Sequence, residues 1–235
     1  MNRLIISFPK SRVAMSRPLL SYSRVQKYIG LLLRNRLLQL KRIPSLPFVN
    51  IGCGQNIHPG FINIDYDWHP GIHLCWDIRI GLPLRDLSIE GIFTEHCLEH
   101  VTYDQCIDVL QEMYRILKPN GVVRIIVPDG GLYIDLYQRF LNGEQVEFPY
   151  VDLQGQTHLR EDSRCGFTPM MAINRIFRGY GHLFAYDYDT MKNVLLYVGF
   201  KAVKRCTFLS GQLKGLLIDS ELRAPQSMFV EAIKY

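Results

Sequence analysis

Two glycines, two strand-end carboxylates and a histidine pair are the residues of this chain whose types and spacing suit chemistry. Gly52-Cys53-Gly54 closes the apolar run Phe48-Val49-Asn50-Ile51, and Asp65 follows eleven residues after Gly54, at the end of Phe61-Ile62-Asn63-Ile64. Glycines let a backbone approach a ligand closely, and a carboxylate just past a strand accepts from ribose hydroxyls. Asp77, in Cys75-Trp76-Asp77-Ile78, closes a third run. Taken singly, Asp65 and Asp77 also read as turn caps. A dinucleotide GxGxxG needs glycine at position 57, which is Ile57, so a nicotinamide dehydrogenase is discounted.

His96-Cys97-Leu98-Glu99-His100 spells HxxEH. On a helix, two histidines four apart share a metal and the glutamate serves as base. Here His96 follows Ile92-Phe93, where a strand should end, and no third ligand is evident. No metal ligand is assigned, and a zinc hydrolase stays a remote alternative. His100 reads either as a general base or as a helix-cap histidine. Asp129, after Val127-Pro128, is placed facing the cleft from across the sheet's switch point. His182 and Tyr186 are the substrate-side candidates, with ordinary loop packing as the alternative.

Alternating elements must position these groups. Strands are expected at 48–52, 61–65, 72–77, 90–95, 121–127, 201–209 and 227–234, and helices at 103–117, 131–141 and 188–198. The pattern predicts an α/β fold, a Rossmann-like and mostly parallel sheet of about seven strands with helices on both faces. Only eight residues separate Gly52 from Phe61, including Pro59 and Gly60. A crossover helix does not fit there, so the first crossover is expected to be a loop or one short turn.

This order of signals resembles the class I S-adenosylmethionine-dependent methyltransferases, and among them the small bacterial methyltransferase type 11-like proteins. The likeness covers about residues 46–205 and rests on Asn50 to Gly54, Pro59-Gly60-Phe61-Ile62-Asn63-Ile64-Asp65, Leu82-Pro83-Leu84, Leu98-Glu99-His100-Val101, Leu117-Lys118-Pro119-Asn120-Gly121 and Tyr197-Val198-Gly199-Phe200. The resemblance implies S-adenosyl-L-methionine as cofactor. Asn50, Ile51, Gly52, Cys53 and Gly54 would face its amino-acid half. Asp65 would bind the ribose, Asp77 and Ile78 would lie at the adenine, and His96 would stand beside the methionine part. Asn56 replaces the usual third glycine and the helix after it is missing. The anchor for the cofactor's carboxylate is thus left to Gln55, Asn56 or the basic arm.

Bulk composition fits an ordinary globular chain of 235 residues, 48% hydrophobic and 21% charged. The net charge of +5 is unevenly divided. Residues 1–42 hold ten Lys/Arg and no acid, whereas the remainder has 17 basic and 22 acidic residues. The body is therefore mildly acidic, and no nucleic-acid partner is expected. Six scattered cysteines without a CxxC suit reduced thiols. Met1 to Phe8, broken by Pro9 and Lys10, makes a poor signal peptide, and no apolar run reaches the ~18–20 residues of a membrane span. A cytoplasmic protein is expected.

Residues 1–45 are read as a basic arm and 46–235 as the catalytic domain, with a lid or insertion at about 142–187. Ser23 to Lys41 shows helical periodicity, with Val25, Ile29, Leu32, Leu33, Leu37 and Leu40 on one face. Two readings stand for it: an apolar stripe packed on the domain, or a basic amphipathic helix lying peripherally on an anionic inner membrane surface through residues 1–42. The expected function is methyl transfer from S-adenosylmethionine, most simply to oxygen of a small molecule or a glycan or lipid-linked acceptor. The alternative is a cofactor-binding but inactive interaction module.

Overall fold

A computed structural model describes residues 23–149 and 168–235. The strands are β1 Phe48–Ile51, β2 Phe61–Asp65, β3 Leu74–Cys75, β4 Ile89–Glu95, β5 Leu117–Pro128, β6 Lys201–Cys206 and β7 Ser227–Ile233. They form one sheet in the order β3-β2-β1-β4-β5-β7-β6, in which β7 alone runs antiparallel to its neighbours. The chain leaves β1 toward β2 on one side and returns to β4 on the other. That reversal opens a crevice at the carboxyl ends of β1 and β4, where ligands bind in open α/β sheets.

The helices are α1 Arg24–Leu33, α2 Tyr103–Ile116, α3 Gly130–Leu141, α4 Pro169–Arg178 and α5 Tyr188–Val198. Their starts follow from capping chemistry. Thr102 and Gln105 exchange hydrogen bonds in a capping box at α2, Asp129 caps α3, and Asp187 caps α5. Helix α2 buries Cys106, Val109, Leu110, Met113 and Ile116, a 3.6-residue stripe. Along β5 the side chains alternate. Val123, Ile125 and Val127 join the main core with α2 and α5. Val122 and Ile126 join a second cluster with Phe61, Phe93, Leu216 and Phe229 on the other face. None of the described helices is long and apolar enough to cross a membrane.

Three local expectations are corrected. The third strand spans only Leu74–Cys75, because it pairs with β2 alone and Asp77 then caps a 3-10 turn over Ile78–Ile80. The fifth begins at Leu117, and a register shift between Ile89 and Gly91 on β4 absorbs the Lys118-Pro119-Asn120 turn. The arm helix stops at Leu33, where Asn35 adopts φ 60°, and continues as a separate 3-10 turn over Leu37–Arg42.

That break changes how the arm docks. Gly30 packs against Trp68, and Arg34 lies 3.5 Å above the Tyr66 ring while pairing with Asp67 at 3.2 Å. The Asn35 amide oxygen accepts from the Asp77 backbone at 2.8 Å, and Gln39 bonds the backbone of Cys75. The contacts are largely polar and close the β3 edge. Of the expected stripe, Val25, Leu32 and Leu37 stay 54–68% exposed, Ile29 and Leu33 are half-buried and Leu40 packs against the main core, so the stripe is packed on the domain only in part.

Candidate active site

The first crossover is a loop, and two buried asparagines hold it in place of a helix. Asn50 and Asn63 sit in register on β1 and β2, and the Asn50 amide donates to the Asn63 oxygen at 3.2 Å and to the Asn56 carbonyl at 3.0 Å. Asn63 in turn accepts from the His58 backbone and donates to the His58 carbonyl. The loop's polar backbone is thus satisfied from beneath by side chains. Gly52 (φ 67°) and Gly54 (φ 49°) are both left-handed. A Cβ at Gly52 would lie 2.4 Å from the Cys97 sulfur, so that position admits no side chain without movement.

A cavity of about 510 Å³ opens over these strand ends. One wall is Asn50, Gly52 to Asn56, Asp65, Asp77 and Ile78. Asp65 accepts from the Gly54 amide at 2.7 Å through one oxygen and from the Asp67 amide at 2.9 Å through the other. These bonds fix the carboxylate while each oxygen keeps a further lone pair. Burial raises the Asp65 pKa above its ordinary value, and the two amides work against that rise. Asp77 is held the opposite way: bidentate bonding from Arg79, at 2.8 and 2.7 Å, lowers its pKa.

The far wall carries Glu95, His96, Glu99, His100, Ile176, Tyr180, His182, Arg223 and Gln226. His96 ends β4 with φ 51°, and this left-handed turn swings the chain into a 3-10 turn over Leu98–His100. The HxxEH residues therefore do not share a helix, and the inverted zinc-protease arrangement is not formed. Glu99 is 1% exposed in its side chain and stands between three imidazoles. Its Oε1 lies 3.4 Å from His96 Nδ1, 4.0 Å from His100 Nε2 and 3.9 Å from His182 Nε2. Burial pushes the Glu99 carboxyl up to about 8. Burial likewise lowers the pKa of His96, His100 and His182. His182 reaches this wall because the backbone amide of Leu183 donates to the Glu99 carbonyl at 2.7 Å.

Most residues singled out in the sequence line this one cavity, on its two walls: Asn50, Gly52, Cys53, Gly54, Asp65, Asp77, Ile78, His96, His100 and His182. Three do not. Ile51 is fully buried in the core. Asp129 spends its carboxylate on the Leu132 amide and on Arg205 at 2.5 Å, because it caps α3. Tyr186 is 1% exposed and packs in the main core, its hydroxyl facing Cys106. Of the expected lid, residues 150–167 lie outside the described residues; the described part supplies α4, Tyr180 and His182. Sequence reasoning missed Glu99 as a site residue, along with Glu95, Arg223 and Gln226. Glu99 was visible inside its motif. Arg223 carries no local signal, since it arrives from the segment before β7.

Residues 50–125 match the family model described as a methyltransferase domain. No curated protein matches the chain. Among solved structures, the chain is similar to an S-adenosylmethionine-dependent methyltransferase of Thermotoga maritima, titled a possible histamine N-methyltransferase (15% identity, 85% of this chain and 89% of that one, TM-score 0.48). It is also similar to an S-adenosylmethionine-dependent methyltransferase of Archaeoglobus fulgidus (18% identity, 89% and 94% covered, TM-score 0.45). A third is phosphoethanolamine N-methyltransferase 2 of Haemonchus contortus in complex with S-adenosyl-L-methionine (12% identity, 84% and 51% covered, TM-score 0.44). Likeness this distant says nothing of the acceptor. The matched stretch runs from β1 into β5 and carries the glycine turn and both strand-end carboxylates, so residues 50–125 hold a methyltransferase domain.

Proposed function

We propose that this enzyme methylates an oxygen of a small molecule or of a glycan or lipid-linked acceptor. One observation carries the reading: a single cavity joins a wall suited to the methyl donor with a wall of buried acid and imidazole groups. On the first wall, Gly52 to Gly54 give close backbone approach, Asp65 offers lone pairs to ribose hydroxyls, and Asp77 with Ile78 lines the adenine end. The bound cofactor supplies a methyl group already activated on a sulfonium, so alignment of the acceptor does much of the work. On the second wall, His100 is the most open of the three imidazoles, 37% exposed, and the base best placed to take an acceptor's proton. Arg223 and Gln226 enter the cavity from beyond the switch point and join Gln55 and Asn56 as candidate anchors for the cofactor's carboxylate.

Calorimetric titration with S-adenosylmethionine and S-adenosylhomocysteine, followed by turnover across alcohols, phenols, sugars and amines, tests this reading. Binding with turnover confined to amines would overturn the oxygen assignment. Binding without any turnover would support an inactive, tethering module instead.

The exposed apolar row of the arm, beside Arg24, Lys27, Arg36 and Lys41, supports peripheral contact with an anionic membrane, which would place the enzyme at the inner surface of the cytoplasm. Sedimentation with anionic vesicles that is lost on removing residues 1–42 is the expected result; sedimentation unchanged by that truncation would rule the contact out.

A further inference from the structure

Glu99 poses a problem that the methyl-donor wall does not answer. Both of its carboxylate oxygens are buried, and neither receives a hydrogen bond from another residue among the described residues. A buried carboxylate in that position normally has a donor, a proton or a cation as partner.

The surrounding imidazoles do not supply the donor, as their other nitrogens show. His182 Nδ1 stands 2.6 Å from the Ile176 carbonyl, which only accepts, so Nδ1 carries the hydrogen. In the neutral ring Nε2 then presents a lone pair toward Glu99. His96 Nε2 stands 2.8 Å from the Ser227 hydroxyl, and that hydroxyl donates its one hydrogen to the Arg223 carbonyl at 2.7 Å. His96 must therefore donate through Nε2, and its Nδ1 lone pair faces Glu99. A carboxylate and two imidazole lone pairs converge on one point. One carboxyl proton, donated to one imidazole, would leave the other imidazole lone pair without a donor.

Ligand atoms of Glu99, His100 and His182 all lie within 4.8 Å of one another, and all three residues line the cavity. We propose that Glu99, His100 and His182 bind one divalent first-row transition-metal ion, with His96 Nδ1 facing the same point. Two imidazoles and a carboxylate are the borderline donors that suit zinc, iron or cobalt rather than magnesium or calcium. The backing is also that of a metal site. His182 is oriented by a backbone carbonyl through its other nitrogen, and His100 has a backbone hydrogen bond with Gly181. Three protein ligands on an open cavity leave a position for an oxygen of the acceptor, such as a hydroxyl or carboxylate; with the ion in place His100 is a ligand and no longer a free base, and acidification of the bound hydroxyl by the ion would take over that role. The metal site stands on this geometry alone; its use in presenting the acceptor rests on the methyl-transfer reading.

The test uses the full-length protein stripped with chelator and then freed of it. Cobalt(II) is titrated in and followed by its visible ligand-field absorption, with zinc followed by calorimetry. The expected result is one ion per chain, with affinity falling at least about 10-fold in both Glu99→Gln and His182→Ala, the smallest loss seen even for an outer partner of a metal ligand. Circular dichroism and thermal unfolding in metal-free buffer confirm that each variant folds, and Glu99→Gln, nearly isosteric, guards against a misfolded His182→Ala. No uptake at millimolar cobalt or zinc would overturn the proposal, as would uptake unchanged in both variants. S-adenosylhomocysteine titrated into the wild-type protein separates the two ideas. Cofactor binding without metal uptake sinks the metal site alone, and metal uptake without cofactor binding sinks the methyl-transfer reading alone.

Discussion

Two buried charge clusters in this protein share a depth but not a chemistry. Around Arg124, all five guanidinium hydrogens find acceptors. Nε and Nη2 reach Asp219, Nη1 reaches Glu231, and the remaining two go to the Ser210 and Thr207 carbonyls. The carboxylates are completed by the backbone amides of Leu209 and Gln212. This cluster pins the 207–221 segment to β5 and β7, on the sheet face away from α2. Around Glu99 the acid meets lone pairs instead of donors, and the cluster opens on a cavity. The first pattern is what a fold needs in order to bury charge. The second costs stability, and such groups persist where a ligand completes them.

The largest effect should come from breaking the complete cluster. Arg124→Met leaves Asp219 and Glu231 buried without their cation and is expected to cost about 3–5 kcal/mol in urea unfolding. A loss under about 1 kcal/mol would mean that the segment relaxes and admits water, and the contrast between the clusters would fall.

A middle effect is expected on the donor wall. Asp65→Ala should weaken S-adenosylhomocysteine by about 1.5–3 kcal/mol, the scale of a lost charged hydrogen bond, read by calorimetry. The same residue sets a pH dependence. Burial raises its pKa above the ordinary 3.8, and the ionised form is the one that accepts from the ribose without giving up a lone pair. Affinity should therefore be full well above that raised value and fall as pH drops through it, at a higher pH than an ordinary aspartate would give. Asp65→Asn should flatten the profile; an unchanged profile would remove Asp65 from the site.

The smallest effect should come from the incomplete cluster. Glu99→Gln removes no hydrogen bond from another described residue and replaces a buried acid with a neutral amide of nearly the same shape. In metal-free buffer its stability should stay within about 1 kcal/mol of wild type or rise. A loss near that of Arg124→Met would show Glu99 to be a structural anchor.

What could be read in the sequence divides along the same line. The strand ends, the glycine turn and the absent crossover helix were legible because each is written locally, in an apolar run, a glycine or a count of eight residues. Even the asparagine pair beneath the turn was on the page, although only the β1–β2 register reveals that Asn50 and Asn63 face each other. The imidazole wall was not legible. His182 joins Glu99 through a backbone bond between distant segments, and no spacing rule encodes such a meeting. Asp129 and Tyr186 were misplaced for a related reason. A polar residue after a strand can cap the next helix as well as face a cleft, and an aromatic near a loop can turn into the core. The arm failed differently: its periodicity promised a continuous helix, but Asn35 breaks it and side-chain amides, not leucines, make the contact with Cys75 and Asp77.

The central claim is that the wall built from Gly52, Gly54, Asp65 and Asp77 holds the methyl donor. Titration of S-adenosylhomocysteine into the full-length protein tests it most directly, with the Asp65→Ala variant in parallel. One saturable site per chain is expected, with an affinity loss of about 10- to 150-fold in the variant, the equivalent of ~1.5–3 kcal/mol. No heat of binding at millimolar ligand, or equal affinity in both proteins, would contradict it.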